Sequence, residues 1–195
     1  MWFHMIMKDK QNVELLIQAC RNKNLAAQQK LYTLYYSYGM SISLRYSNNK
    51  EEAEDILNDA FYNFFVKIDL YDTKQPFKYW FRRILINASI DYTRRYKKFE
   101  STLSLEEGVL PAPKQDDPLA FQNLAYQDVL KQIQKLPPAY QLVFNLYAID
   151  GLKHQEIADR LEISVNTSKS NYSRARSKLQ EFLKNSETTK GSKYG

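Results

Sequence analysis

Asn166, Thr167, Lys169, Ser170, Ser173, Arg174 and Arg176 crowd amide, hydroxyl and cationic side chains into one short stretch. Their chemistry is recognition rather than bond making. Amides and hydroxyls pair with base edges in a major groove, and lysine and arginine hold phosphates. Something must hold such groups on one face, and the flanking sequence supplies it. Leu152 to Leu183 predicts two helices joined by a short turn. Ile157, Ala158 and Leu161 are the apolar positions of the first, and Glu162-Ile163-Ser164 is the turn. Ser164 suits an N-cap, because its hydroxyl can accept from a free backbone N–H. Tyr172, Ala175, Leu179 and Leu183 then recur at helical spacing and are expected to face inward. The result is a helix-turn-helix whose second helix carries the polar set outward at its front. An ordinary helical hairpin with a solvated face has the same periodicity, so the segment needs independent support.

Composition supplies some of it. The 195 residues carry a formal net charge of +6, which suits a polyanionic partner. Hydrophobic content is 44%, enough for real cores, and five glycines and six prolines against 15 tyrosines and 10 phenylalanines favour helices over a turn-rich β fold. The lone Cys20 offers no disulfide framework and no zinc set, which points to a reducing, cytoplasmic setting. No apolar run reaches the roughly 18 residues of a membrane span. The opening Met1 to Met7 is apolar but short and lacks a basic region ahead of it, so it makes a poor signal peptide, and Met5 or Met7 could equally be the start. An enzyme is disfavoured. There are two histidines, His4 and His154, no glycine-rich phosphate loop and no metal-ligand cluster. Asp55 and Asp59 share a helical face but have no catalytic partners. No cofactor is called for.

Charge is unevenly distributed. From Lys50 to Asp59 five acids (Glu51, Glu52, Glu54, Asp55, Asp59) stand against one lysine. From Pro76 to Lys98 seven bases (Lys78, Arg82, Arg83, Arg94, Arg95, Lys97, Lys98) stand against Asp91, and from Ser164 to Lys184 five bases stand against Glu181. Glu51 and Glu52 merely complement a helix start. Asp55 and Asp59 fit that role less well and suggest a second, protein partner with a basic surface.

The rest of the chain reads as helices. Val13 to Cys20 is short and amphipathic. Asn24 caps a long helix with Ala27, Leu31, Leu34, Tyr35 and Tyr38 inward, and Ser47-Asn48-Asn49 is a turn. A third helix buries Ala53, Ile56, Leu57, Ala60, Phe61, Phe64 and Ile68. Pro76 opens a fourth, with Phe77, Trp80, Phe81, Ile84, Ala88 and Tyr92 inward. Periodicity fails from Phe99 to Asn123, where Gly108, Pro111, Pro113 and Pro118 mark a linker. Tyr126, Val129, Leu130, Ile133 and Leu136 restart a helix that Pro137-Pro138 ends. The next carries Tyr140, Val143, Phe144 and Tyr147, and Gly151 follows it. The polar tail after Asn185 is expected to be disordered. The expected fold class is all-α, two small helical domains joined by a flexible linker.

Three blocks resemble the extracytoplasmic-function (ECF) sigma factors, the two-domain initiation factors of bacterial RNA polymerase. Glu52-Ala53-Glu54-Asp55-Ile56-Leu57-Asn58-Asp59-Ala60-Phe61 is similar to region 2.2. Pro76 through Ile84, with Asn87, Asp91, Arg94 and Arg95, is similar to regions 2.3 and 2.4. Leu136-Pro137-Pro138 through Leu183 is similar to region 4. Asn166-Thr167-Ser168-Lys169-Ser170 further resembles members from Bacteroidetes-like bacteria. The resemblance implies region 2 over residues 8–98, a linker over 99–123, region 4 over 124–185 and a tail over 186–195. It implies that Glu54, Asp55 and Asp59 dock on the β′ clamp helices of core polymerase, with the β flap as a further contact. Tyr71, Lys74, Tyr79, Arg82, Arg83, Asn87 and Arg94 would recognise and open the minus-10 element, the Tyr71–Lys74 loop lying where the family captures a flipped base. Asn166, Thr167, Lys169, Ser170, Ser173, Arg174 and Arg176 would read the minus-35 element. Many members are held inactive by a membrane-bound anti-sigma factor, which makes one a candidate partner; no membrane insertion of this chain is implied.

Three positions depart from the family pattern. Lys153 stands where a Ser or Thr cap is common, Glu162 where the turn usually has Gly, and Ser168 where an apolar residue is common. A positive φ at Glu162 would cost about 1 kcal/mol. The competing reading is a stand-alone helix-turn-helix regulator with an N-terminal sensor or dimerisation domain. The basic, aromatic helix after Pro76 argues against it, since a sensor domain has no need of one.

Overall fold

The computed structural model describes residues 2–96 and 124–191, with side chains over 12–96 and 126–182. Among these residues there are eight α-helices and no strand: α1 Trp2–Arg21, α2 Leu25–Ser43, α3 Lys50–Val66, α4 Phe77–Tyr96, α5 Leu124–Gln134, α6 Pro138–Phe144, α7 His154–Leu161 and α8 Val165–Gly191. A 3₁₀ turn, Ile68–Leu70, follows α3, and a π turn, Asn145–Ile149, follows α6. The expected linker, 99–123, lies outside the described residues. The chain divides into two compact units, Met1–Leu44 with Lys50–Asp91, and Arg45–Asn49 with Tyr92–Gly195.

The first unit is held by aromatic packing. Tyr35 of α2, Phe61 and Phe64 of α3, and Phe77 and Phe81 of α4 meet at centroid separations of 4.6 to 6.2 Å. Burial pushes the Tyr35 phenol up to about 12, with Tyr71 and Tyr38 adding to the rise. Gly39 lets α2 approach α3, because a Cβ there would collide with the Leu57 side chain. Asn24 caps α2 as expected, accepting from Ala27 N–H at 3.0 Å. Leu34, expected inward, is 56% exposed. The inward role on that stretch passes to Gly39 and Met40, which are buried.

In the second unit Leu136, Tyr140 and Ala175 form a core flanked by Phe144, Leu179 and Phe182. Val129 and Tyr147, expected inward, are 48% and 37% exposed. The wider π turn closes with Asp150 N–H on the Asn145 carbonyl at 2.9 Å, and Gly151 (φ +76°) reverses the chain. Arg45–Asn49 belongs to this unit. The Arg45 carbonyl accepts from Gln141 and Asn145, while Arg45 and Tyr46 side chains bind Asp150. These groups are buried, so their mutual pairing offsets the loss of water. α8 runs to Gly191, into the stretch from residue 186 where a tail is expected, and residues 192–195 lie outside the described residues. The sequence from Val165 to Lys190 has no glycine or proline, and each further residue of a helix adds a hydrogen bond.

Candidate nucleic-acid interface

The helix-turn-helix is built as its sequence dictates. Glu156, at the third position of α7, accepts from Lys153 N–H at 2.7 Å, so the missing Ser or Thr cap is compensated from within the helix. Ile157, Ala158 and Leu161 are buried. Glu162 sits in the left-handed region (φ 57°, ψ 41°), where glycine would be unstrained. Ser164 Oγ accepts from Thr167 N–H at 2.9 Å and starts α8.

All seven residues expected at the minus-35 element are exposed on α8. They are not equally available. Thr167 Oγ1 is 2.8 Å from Ser164 Oγ, Ser170 donates to the Thr167 carbonyl, and Arg174 reaches Tyr140 Oη at 3.4 Å. Asn166, Lys169 and Ser173 fall at i, i+3 and i+7, one helical face.

Ser168 and His154 carry a feature the sequence reading missed. Ser168 is fully buried, and its Oγ lies 2.9 Å from His154 Nδ1. The His154 ring stacks on Tyr147 at 4.2 Å and 11°. Burial, then the Lys169 charge, holds His154 below its ordinary value. A neutral imidazole therefore ties the head of α7 to the recognition helix. The signal available in the sequence was a polar serine on the inward stripe of α8, fourteen residues from a histidine.

On the first unit Lys74, Tyr79, Arg83 and Asn87 are exposed and Arg82 is half-buried. Tyr79, Arg83 and Asn87 share one face of α4 at i, i+4 and i+8. Arg83 donates to Gln75 Oε1 at 3.3 Å, and Lys74 N–H is held by Asp72 Oδ1 at 2.9 Å. Tyr71 lies inside the fold. It is 4% exposed, packs against Phe77 and Trp80, and donates to the Gln75 carbonyl at 2.6 Å. It shapes the loop and presents no free face to a base. Arg94 falls in the second unit, where it donates to the Arg160 carbonyl at 2.6 Å and pairs with Glu162 at 3.3 Å.

Of the three acids expected to meet polymerase, Asp55 is exposed and Asp59 half-buried. Glu54 is engaged within the fold, accepting from Tyr36 Oη at 2.8 Å and lying 3.9 Å from Lys50 Nζ. Among the described residues no group of His, Cys, Asp or Glu could hold a metal ion, and no helix is long and apolar enough to cross a membrane.

A capped helix-turn-helix with a polar, basic recognition face, together with a unit that has an exposed basic helix and an acidic one, defines a DNA-binding transcription protein with a second macromolecular partner. Residues 31–99 match the family Sigma-70 region 2, and residues 126–179 match Sigma-70, region 4. The ECF RNA polymerase sigma factor SigW of Bacillus subtilis (strain 168) is 33% identical over 172 residues, covering 80% of this chain and 84% of that protein. SigM of the same organism, also an ECF sigma factor, is 30% identical over 156 residues, covering 77% and 91%. Among solved structures, CnrH in complex with the cytosolic domain of CnrY is 22% identical with a TM-score of 0.44, covering 87% of this chain and 96% of that one. The chain belongs to the ECF sigma factors of the sigma-70 family. It directs core RNA polymerase to specific promoters and starts transcription.

Proposed function

We propose that the two regions divide promoter recognition between them. Region 4, over 124–185, reads the minus-35 element through Asn166, Lys169, Ser173, Arg174 and Arg176. Region 2, over 8–98, engages and opens the minus-10 element through Lys74, Tyr79, Arg82, Arg83 and Asn87, and docks on polymerase through Asp55 and Asp59. The protein acts in the cytoplasm without catalysing a reaction itself, and an anti-sigma factor is its candidate regulator. The observation that carries this reading is the exposed run of amide, hydroxyl and cationic side chains on a capped α8. The experiment is transcription by core polymerase with Lys169→Ala and Arg174→Ala on promoters varied base by base at minus-35. A lost base contact costs about 1–3 kcal/mol and relaxes preference at one position, whereas a lost phosphate contact weakens all promoters alike. Wild-type selectivity in both variants would remove region 4 from minus-35 reading.

A further inference from the structure

We propose that the cavity where α1, α2 and the start of α4 meet is a binding site for a small amphipathic anion, a carboxylate on an acyl chain. The chain lies over Val13, Leu16 and Leu34, and the head is held by Lys30 and Lys78. The site is independent of how promoter and polymerase contacts are divided between the two regions.

The cavity lies wholly within the first unit and measures about 790 Å³. Small-molecule sites run from about 300 to 1,000 Å³ and are mostly apolar, with a few convergent polar groups. α2 lends it Lys30, Leu34 and Tyr38, at i, i+4 and i+8 on one face, and α1 lends it Asn12, Leu15 and Leu16, at i, i+3 and i+4. Leu15 and Leu34 are 66% and 56% exposed, while Val13 and Leu16 are half-buried. Helix stripes that only meet water are polar. These two are apolar where they line the same cavity, so an apolar body that covers both is drawn out of water with them.

The polar groups set the sign of the ligand. Among the described residues two lysines line the cavity and no carboxylate does. Lys78 Nζ stands 4.5 Å from the centroid of the Tyr38 ring, and Tyr38 Oη donates to the Lys78 carbonyl at 3.4 Å, so this cation is held at the cavity wall. Tyr35 also lines the cavity, and its hydroxyl makes no hydrogen bond among the described residues. Burial pushes its phenol up to about 12, so it stays protonated, offers a donor and adds no negative charge. Two cations and a donor suit a carboxylate, whose bonds to charged donors are the strong ones. A DNA backbone would use the lysines and leave the leucines uncovered. A cationic amphiphile would set like charges together.

The test is isothermal titration calorimetry of the full chain with decanoate, kept below its micelle-forming concentration. Decanol and decyltrimethylammonium serve as controls of equal chain length. Decanoate should bind a single site and raise the melting temperature as it saturates, because it binds the folded state only. Decanol should bind about five-fold more weakly, and the ammonium not at all. Lys30→Gln with Lys78→Gln should weaken decanoate about five-fold and leave decanol unchanged, two exposed ion pairs each contributing a factor of about two to three. Leu34→Asp should abolish decanoate binding. Absence of saturable decanoate binding, equal binding of all three probes, or wild-type affinity in Leu34→Asp overturns the inference. Wild-type decanoate affinity in the lysine variant overturns it too. If Leu34→Asp loses helix by circular dichroism, the lysine variant decides alone. A photo-crosslinking amino acid at position 34 that captures a core polymerase subunit or a second copy of the chain assigns the cavity to a protein and overturns the inference as well.

Discussion

Replacing His154 by Phe separates the two jobs of that ring. Phenylalanine keeps the stack on Tyr147 but removes Nδ1, leaving the buried Ser168 hydroxyl without it. A buried hydroxyl stripped of its partner costs about 1–3 kcal/mol. Ser168 can turn its hydroxyl back toward the Ser164 carbonyl one turn earlier, which moves the expectation to the lower end. Ser168→Ala alone should cost about 1 kcal/mol, since His154 is only half-buried and water reaches it. The double variant loses both partners and leaves no orphan. Its cost should fall below the sum of the single costs by about 1 kcal/mol. Urea unfolding of the four proteins, with anisotropy on a minus-35 duplex, measures both stability and recognition. The His154→Phe protein should unfold at lower urea and bind the duplex more weakly. Additive single costs, or a His154→Phe protein within about 0.3 kcal/mol of wild type, would refute the tether.

The same histidine sets a pH dependence. Its value is lowered below the ordinary 6.5 by burial and Lys169, so the folded state favours the neutral ring. That contribution is complete above pH 6.5 and is lost as pH falls below it. Wild type should therefore lose stability relative to His154→Phe between about pH 7 and pH 5, and parallel pH curves would deny it. Tyr71→Phe, which loses only the bond to Gln75, should cost about 1 kcal/mol and leave promoter opening intact, whereas Tyr71→Ala should cost about 3–5 kcal/mol by emptying part of the core; melting temperatures and permanganate footprints compare the two. Asn87→Ala should reduce open-complex formation on duplex promoters and recover in part on a template already unpaired at minus-10, because unstacking is then done in advance. Equal loss on both templates would make Asn87 a binding residue only.

The helical period located every helix core, because apolar residues at i, i+3 and i+4 come onto one side only when the chain is helical. It also placed Ser164, Asn24 and Gly151, whose caps and turn depend on local chemistry. It misassigned Leu34 and Val129, which have the right spacing but sit at the edge of a stripe, where tertiary packing decides. Tyr71 is a different case. The family resemblance placed it in a base-capturing loop, and no spacing in the sequence shows that its ring packs on Phe77 and Trp80. The Ser168–His154 pair was invisible because side-chain hydrogen bonds between helices leave no period in the sequence.

Arg45 and Asp150 are 105 residues apart in sequence and close together in the second unit. Chain order therefore imposes an order of assembly. At synthesis rates of about 5–20 residues per second, Arg45 is made on the order of 5–20 s before Asp150. The last residue of the first unit, Asp91, is also made before Asp150. The second unit has its opening segment early and its remaining helices late, so the buried pairing of Arg45 with Asp150 has to wait for the later part of the chain.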